Sequence, residues 1–382
     1  MPHNGLPPEV VDEILFYLED DKPALLSCML ASKAFLARAD PVMYRRHQVG
    51  FVCHRYYPPS SVEDYKLDQA SERLAQKLQA KQECAQRCSA LTVRFLLDAR
   101  KTRTLSATPC TAASLRVLFE RLSAVTNLTV TVSPRWSRLL CVNILAAVLP
   151  AVPSTRGLRS LCLPGLTDDL LRWLLPLAHL TFLTLQQPIL RISLPTLPAT
   201  FRLAHIGVDE LDADLFTLLT TNSLSSLTSF SAPYSFPFES SLTQFTHLTS
   251  LTLTFDRYSD DPSSSRSPRR EALKHFLEAN TTLRSLTFSH GRSSPGPRRS
   301  ALLRALPPHI EVLRLRPCPL SSQTALDLVP DLPVTLRKVE WTPWTSSGPW
   351  TSGRRESVEE ACKARGVQEV VFTTVEASEL DG

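Results

Sequence analysis

The chain has 382 residues, 43% hydrophobic and 21% charged, which excludes a disordered or a membrane-embedded composition. Its 42 lysines and arginines against 37 aspartates and glutamates leave +5, too weak a bias to imply a nucleic-acid partner. Glycine is scarce (11) and proline plentiful (30), so there is little material for phosphate-cradling loops in a chain that is punctuated often.

The sharpest pattern lies in residues 6 to 46. Pro7 and Pro8 suit a helix start, where a missing N–H costs nothing, and Glu9 complements the helix dipole. Val10, Val11, Ile14, Leu15 and Leu18 then recur at helical spacing. Asp20-Asp21-Lys22-Pro23 closes that helix and opens a second one with Leu25, Leu26, Met29 and Leu30 on its inward face. A third, short turn carries Phe35 and Leu36 before Asp40-Pro41 breaks it. Three short helices over about 40 residues cannot bury enough apolar surface to stand alone, so a helical partner or a role as a cap is expected.

In Leu6-Pro7-x-Glu9, Ile14-Leu15-x-x-Leu18, Asp21-Lys22-x-x-Leu25-Leu26 and the final Ser32-Lys33-Ala34-Phe35, this segment resembles an F-box, in a form similar to those of fungal F-box proteins. The resemblance implies a small all-α three-helix domain over residues 1–48 that docks on a Skp-type adaptor, and through it a cullin. The residues it assigns to that contact are Leu6, Pro7, Glu9, Ile14, Leu15, Leu18, Leu25, Leu26 and Phe35. Phe35 stands where the family usually has Trp, and Lys33 where it has Arg.

Residues 49–90 read as a linker: a strand-like run from Val49 to Cys53, then a capping-box signature at Ser60 and Glu63 opening one long helix to Ser89. Cys84 and Cys88 lie four residues apart on it, half of a metal site by spacing, but no complementary pair exists and two ordinary thiols are expected.

From residue 91 to 375 the chain repeats Leu-x-x-Leu-x-Leu, with a tail at 376–382. Copies begin at Leu158, Leu180, Leu203, Leu248, Leu283, Ile310, Leu336 and Val367, with weaker ones at Val125 and around Leu227 and Phe230. Starts at 158, 180 and 203, or at 283 and 310, fall inside the roughly 20–29-residue period of leucine-rich repeats, which the pattern resembles. Each core alternates with period two and predicts a short strand. Helical patterns fall between them at 168–177, 212–219, 270–279, 300–306, 323–329 and 354–364. Together they predict an α/β solenoid of degenerate repeats, with parallel strands on a concave face and helices outside.

Chemistry is sparse. No phosphate-loop, dinucleotide, nucleophile-elbow or paired-histidine zinc motif is present, and the 9 histidines are dispersed. No catalytic residue, cofactor or metal is assigned. The 9 cysteines are scattered and odd in number, and no basic region followed by an apolar core opens the chain, so a cytoplasmic or nuclear setting is expected. The most apolar stretch, Leu139 to Val152, is interrupted by Pro150 and predicts a buried helix, and no membrane association is expected.

Residues between the buried leucines would face the concave side: Phe182, Thr184, His205, Ser250, Thr252, Ser285, Thr287, Arg314, Arg316 and Lys338, with Glu340 beside them. Hydroxyls in the middle and cations at the C-terminal end suit an extended peptide with acidic or phosphorylated residues. Arg-rich inserts at 256–270 and 289–300 follow neighbouring strands, and Ser267-Pro268 and Ser294-Pro295 within them fit proline-directed phosphorylation. Lacking interleaved aromatics, the inserts make nucleic acid an improbable partner. The pattern and the resemblance together imply the substrate-recognition subunit of a cullin-type (SCF) ubiquitin ligase, non-catalytic itself. The alternative is a repeat scaffold with no part in ubiquitin transfer.

Overall fold

A computed structural model describes residues 7–18, 21–31, 33–53, 64–80, 82–97, 103–132, 138–186, 193, 198–209, 213–233, 245–255, 268–290, 306–318, 322–343 and 350–373. Leu6, Ser60, Glu63, Trp344, most of both Arg-rich inserts, the helix expected from residue 300 and the tail lie outside these residues. Two compact units are present: residues 1–181 with 189–195, and residues 182–188 with 196–382.

The first unit opens with three helices, α1 (Pro8–Tyr17), α2 (Lys22–Ala31) and α3 (Lys33–Met43). Proline occupies the first turn of α1, and Asp21 accepts the N–H of Ala24 at 3.0 Å to cap α2. Val11, Leu15, Leu25 and Ala39 form their core, with Leu18, Met29, Phe35 and Val42 packed against it. Arg38 ties α3 to α1 through Asp12 at 2.6 Å. Asp40-Pro41 does not break α3, which runs on to Met43. Near a helix end, proline removes one hydrogen bond and its fixed φ remains helical.

The sheet of this unit contains β1 (Arg46–Cys53), β2 (Lys66–Asp68), β3 (Ala90–Leu97), β4 (Leu105–Pro109), β5 (Asn127–Val132) and β6 (Ser160–Leu163), in the order β6-β5-β3-β1-β2-β4. β1 pairs in parallel with β3 over its whole length and antiparallel with β2. Residues 46–53, 66–80, 82–87 and 90–97 lie in strands of this sheet or in helices. Of the long helix expected from Glu63 to Ser89, the described parts are α4 (Gln69–Ala80) and α5 (Gln82–Arg87). It starts later than expected because Leu67 is buried opposite Phe51 in the sheet. Asp68 then caps α4 by accepting the N–H of Ser71 at 2.7 Å. Further helices are α6 (Ala112–Arg121), α7 (Arg138–Val148) and α8 (Asp168–Leu174).

In the second unit the strands follow chain order: β7 (Phe182–Leu185), β8 (His205–Val208), β9 (Ser229–Pro233), β10 (Ser250–Phe255), β11 (Ser285–His290), β12 (Val312–Cys318), β13 (Lys338–Pro343) and β14 (Glu369–Phe372), paired in parallel. Its helices are α9 (Ala213–Thr220), α10 (Pro268–Ala279), α11 (Ser322–Leu328) and α12 (Ser352–Ala364). A mostly parallel sheet with intervening helices is compatible with the expected α/β solenoid. Each expected copy becomes a strand beginning two residues after its leading apolar residue, as Leu248 precedes Ser250. The alternate residues Leu183, Leu185, Leu251, Leu253, Leu313 and Leu315 are buried.

One contact recurs from β9 to β14. The residue before each of these strands and the strand's first residue both donate their N–H to the same carbonyl of the preceding turn. Thr249 and Ser250 donate to Thr228, Arg284 and Ser285 to Thr249, and Glu311 and Val312 to Arg284. The first unit does the same, with Arg159 and Ser160 both on Thr126. Where the leading residue is threonine its hydroxyl donates back as well, as Thr249 Oγ1 does to Thr228 at 3.1 Å and Thr181 Oγ1 to Arg159 at 3.1 Å.

The three tryptophans that cluster near residue 341 in the sequence are partly accounted for: Trp341 and Trp350 are buried, and Trp350 packs on Phe372, closing the last repeat. Cys110 and Cys141 lie in the first unit's core, where burial pushes both thiols far up.

Gly50 packs closely against Asp68. A Cβ there would lie 2.4 Å from Asp68 Oδ2, and its N–H donates to Ser71 Oγ at 2.8 Å. Asp68→Ala is expected to cost about 1–2 kcal/mol through the lost cap. Gly50→Ala should destabilise by pushing that carboxylate away, and the double variant should lose less than the sum of the two. Urea titrations of the four proteins measure this, and strict additivity would show that the two residues are not coupled.

Candidate protein-interaction surfaces

Two surfaces stand out, one in each unit. In the first unit, the helices turn Leu15 and Leu25 inward, 1% and 0% exposed, so neither can touch a partner while the unit is folded. Leu18 and Phe35 are half-buried against the same core. These four expected contacts are therefore supports of the helical unit, because α1 and α2 point that stripe at α3. Pro7 and Glu9 are exposed, and Ile14 and Leu26 are 37% and 51% exposed. Val10, Phe16, Tyr17, Leu30 and Leu36 are exposed too, Leu30 by 80%. Of these, Leu30 is expected on an inward face by its helical spacing, and none has an expected contact role. The signal was available: α1 and α2 carry apolar residues on more faces than one core can take.

The second surface is the sheet face turned away from the buried leucines. Strand register aligns its side chains in rows. One runs Phe182, His205, Ser229, Ser250, Ser285, Val312, Lys338 and Glu369; the next runs Thr184, Gly207, Ser231, Thr252, Thr287, Arg314, Glu340 and Val371. The expected candidates Phe182, Thr184, His205, Ser250, Thr252, Ser285, Arg314 and Lys338 thus share one face, with Arg316 in the row beyond, next to Ser289. Thr287 is 9% exposed and offers almost nothing to a ligand.

The cationic end differs from expectation. Glu340, buried within the face, accepts from Arg314 Nε at 3.2 Å and from Arg316 Nε at 2.9 Å. Arg314 Nη1 also donates to Ser285 Oγ at 2.7 Å, and Lys338 pairs with Glu369 at 2.5 Å. Each cation is held by an internal partner, so the pull on an acidic peptide is much reduced. At the opposite end Phe182, 49% exposed, stacks on His205 with ring centroids 6.1 Å apart, and His205 Nδ1 meets Ser229 Oγ at 3.0 Å.

At the strand starts of the same unit, a cleft of about 460 Å³ is lined by Arg284, His309, Glu311, Arg337 and Gln368. Glu311 sits between Arg284 at 3.3 Å and Arg337 at 3.9 Å. In the first unit a cleft of about 420 Å³ lies between α4 and α6 over Val49, Phe51 and Leu67. Among the described residues no cluster of three or more His, Cys, Asp or Glu side chains is arranged to hold a metal, and no helix is long and apolar enough to cross a membrane. Cys88 is buried, and the side chain of Cys84 is outside the described set. The chain matches no protein-family model, and no curated protein is similar enough to count as a relative.

Glu340→Gln should leave two arginines competing for one neutral amide. The expected loss of stability is on the order of 1–3 kcal/mol. Retention on a heparin column should rise and be reversed by salt; unchanged elution would mean that Glu340 does not mask the arginines. Burial lowers the pKa of His205; at His309 burial comes first, then Arg284, and hydrogen bonds to the backbone of Asn280 and Leu277 oppose the shift. The folded chain then binds fewer protons than the unfolded one near the ordinary histidine value of about 6.5, so stability should fall as pH drops through that value. Thermal unfolding on either side of it checks the sign, and a chain that grows more stable on acidification would refute it.

Proposed function

We propose that the chain is the substrate-recognition subunit of a cullin-type ubiquitin ligase, its first three helices acting as an F-box on a Skp-type adaptor and its repeats holding the target protein. The observation that carries this reading is the exposed apolar surface on α1, α2 and α3. Ile14, Phe16, Tyr17, Leu26 and Leu30 expose more apolar side chain than a small helical unit ordinarily leaves to water, while Leu15 and Leu25 keep that unit folded. An adaptor that covers these residues removes them from solvent. The adaptor contact is accordingly assigned to the outward set, with Pro7 and Glu9 at its start. Leu6 belongs to the same motif by sequence.

On this reading the chain performs no chemistry. It raises the local concentration of a target beside an attached ubiquitin-conjugating enzyme, and proximity supplies the rate. The work would take place in the cytoplasm, the nucleus or both. A scaffold with no role in ubiquitin transfer is the competing reading, and adaptor binding separates the two.

Purified Skp-type adaptor should bind the full chain. Ile14→Ala and Leu26→Ala should each weaken that binding by about tenfold or more without changing the circular dichroism spectrum. Leu15→Ala should instead destabilise the helical unit by about 2–5 kcal/mol. Absence of binding by the intact, folded chain would leave the scaffold reading.

A further inference from the structure

The two helices over the start of the first unit's sheet do not close on each other. Between α4 and α6 lies the cleft of about 420 Å³, with Ala75 of α4 and Ala113 of α6 in its walls. A methyl group at each of these positions leaves unfilled the space that longer side chains would take. At the bottom Val49, Phe51 and Leu67 are buried, and at the mouth Val117, 42% exposed, keeps the wall apolar. An apolar interior with a few polar groups at the rim is the usual make-up of a small-molecule site, and this volume falls toward the lower end of their range of roughly 300–1,000 Å³. The cleft at the strand starts of the second unit differs, since its charges already pair with one another, Glu311 between Arg284 and Arg337.

The rim carries charge, and its two signs are not equally available. Arg121, exposed in the last turn of α6, has no hydrogen-bond or ion-pair partner among the described residues. One turn earlier on the same helix Arg116 is paired with Glu120 at 2.7 Å, so the helix spends its acidic side chain on the other arginine. Glu72, on the α4 side of the rim, is engaged in an interaction of its own. Gln76, exposed beside it, adds an uncharged carboxamide with two N–H donors. The group left open at the mouth is therefore a guanidinium, whose fork of donors matches a carboxylate.

We propose that the cleft between α4 and α6 binds a small amphiphile, an apolar body ending in a carboxylate. The body lies between Ala75, Ala113 and Val117, removing their apolar surface from water. The carboxylate stays at the mouth, where Arg121 takes it and Gln76 offers a further donor. The sign of the head follows from the rim: an amphiphilic amine would find its only counter-ion, Glu72, already engaged, and would be repelled by Arg121. The site lies in the first unit and does not depend on the reading of the helices α1 to α3 as an adaptor contact or of the repeats as a target-binding face.

The test is to titrate the full chain with octanoate by calorimetry and to follow thermal unfolding in its presence. Octanoate is expected to bind saturably and to raise the unfolding midpoint as its concentration increases. Butyrate, octan-1-ol and octylammonium should each bind about tenfold more weakly or worse, the first for want of apolar body and the other two for want of the anion. Arg121→Gln should bring octanoate down to the level of octan-1-ol. Ala75→Leu should fill the cleft and abolish octanoate binding. Since it can overpack α4, Ala113→Leu, at an exposed position on α6, fills the same space from the other wall, and circular dichroism confirms that each variant is folded. Octylammonium binding as tightly as octanoate would overturn the proposal, as would octanoate binding that survives both leucine variants, the mark of adsorption elsewhere. No saturable binding by the folded chain would overturn it too and leave the cleft to a side chain of a partner protein.

Discussion

Two consecutive backbone N–H groups converging on one carbonyl of the preceding turn set the terms for the parallel strands of this protein. The contact holds each strand at a defined step from the last, as Glu311 and Val312 do on Arg284. Register in a sheet decides which face every side chain takes, and a slip of one residue would exchange the buried and exposed sets. With the step held, Leu251, Leu286 and Leu313 fall into line on the buried side, and Thr252, Thr287 and Arg314 on the other. The interaction is made by main chain alone, so it tolerates threonine, arginine, glutamate or alanine at the leading position. That tolerance is how repeats so divergent in sequence can share one geometry.

Much of the architecture was legible because burial and periodicity report on each other. The spacing Leu283-x-x-Leu286-x-Phe288 predicts a strand, and β11 begins two residues after Leu283. Asp168, Arg354 and their neighbours mark α8 and α12 through charge at helical spacing, and both helices form there. At the beginning of the sheet, the strand-like run from Val49 to Cys53 forms the end of β1, although these residues are buried one after another and show no alternation. The capping box at α6 uses Ser114 in place of the usual Glu or Gln, so the sequence carries no strong start signal for this helix. Asp40-Pro41 read as a stop because proline is a strong breaker inside a helix and a weak one near its end.

The candidate surfaces were legible in outline and misread in detail. Alternation places Phe182, His205 and Arg314 on the open face. It says nothing of Glu340 folding between two arginines, since that pairing depends on which strands are neighbours. Likewise a leucine stripe along α1 does not tell which members face α3. Leu15 and Leu25 turned inward because three helices must first make a core of their own; what remains outside is the surplus.

The strand-to-strand clasp has a mechanical consequence. Within the second unit each strand from β9 to β14 is secured to its predecessor by the same small set of main-chain bonds, and the last of them, at Gln368 and Glu369 on Arg337, is the one nearest the C-terminus. Tension applied from that end loads this set before the ones behind it. Extraction of the unit would thus proceed as a staircase of similar small steps, one repeat released at a time, rather than as a single rupture.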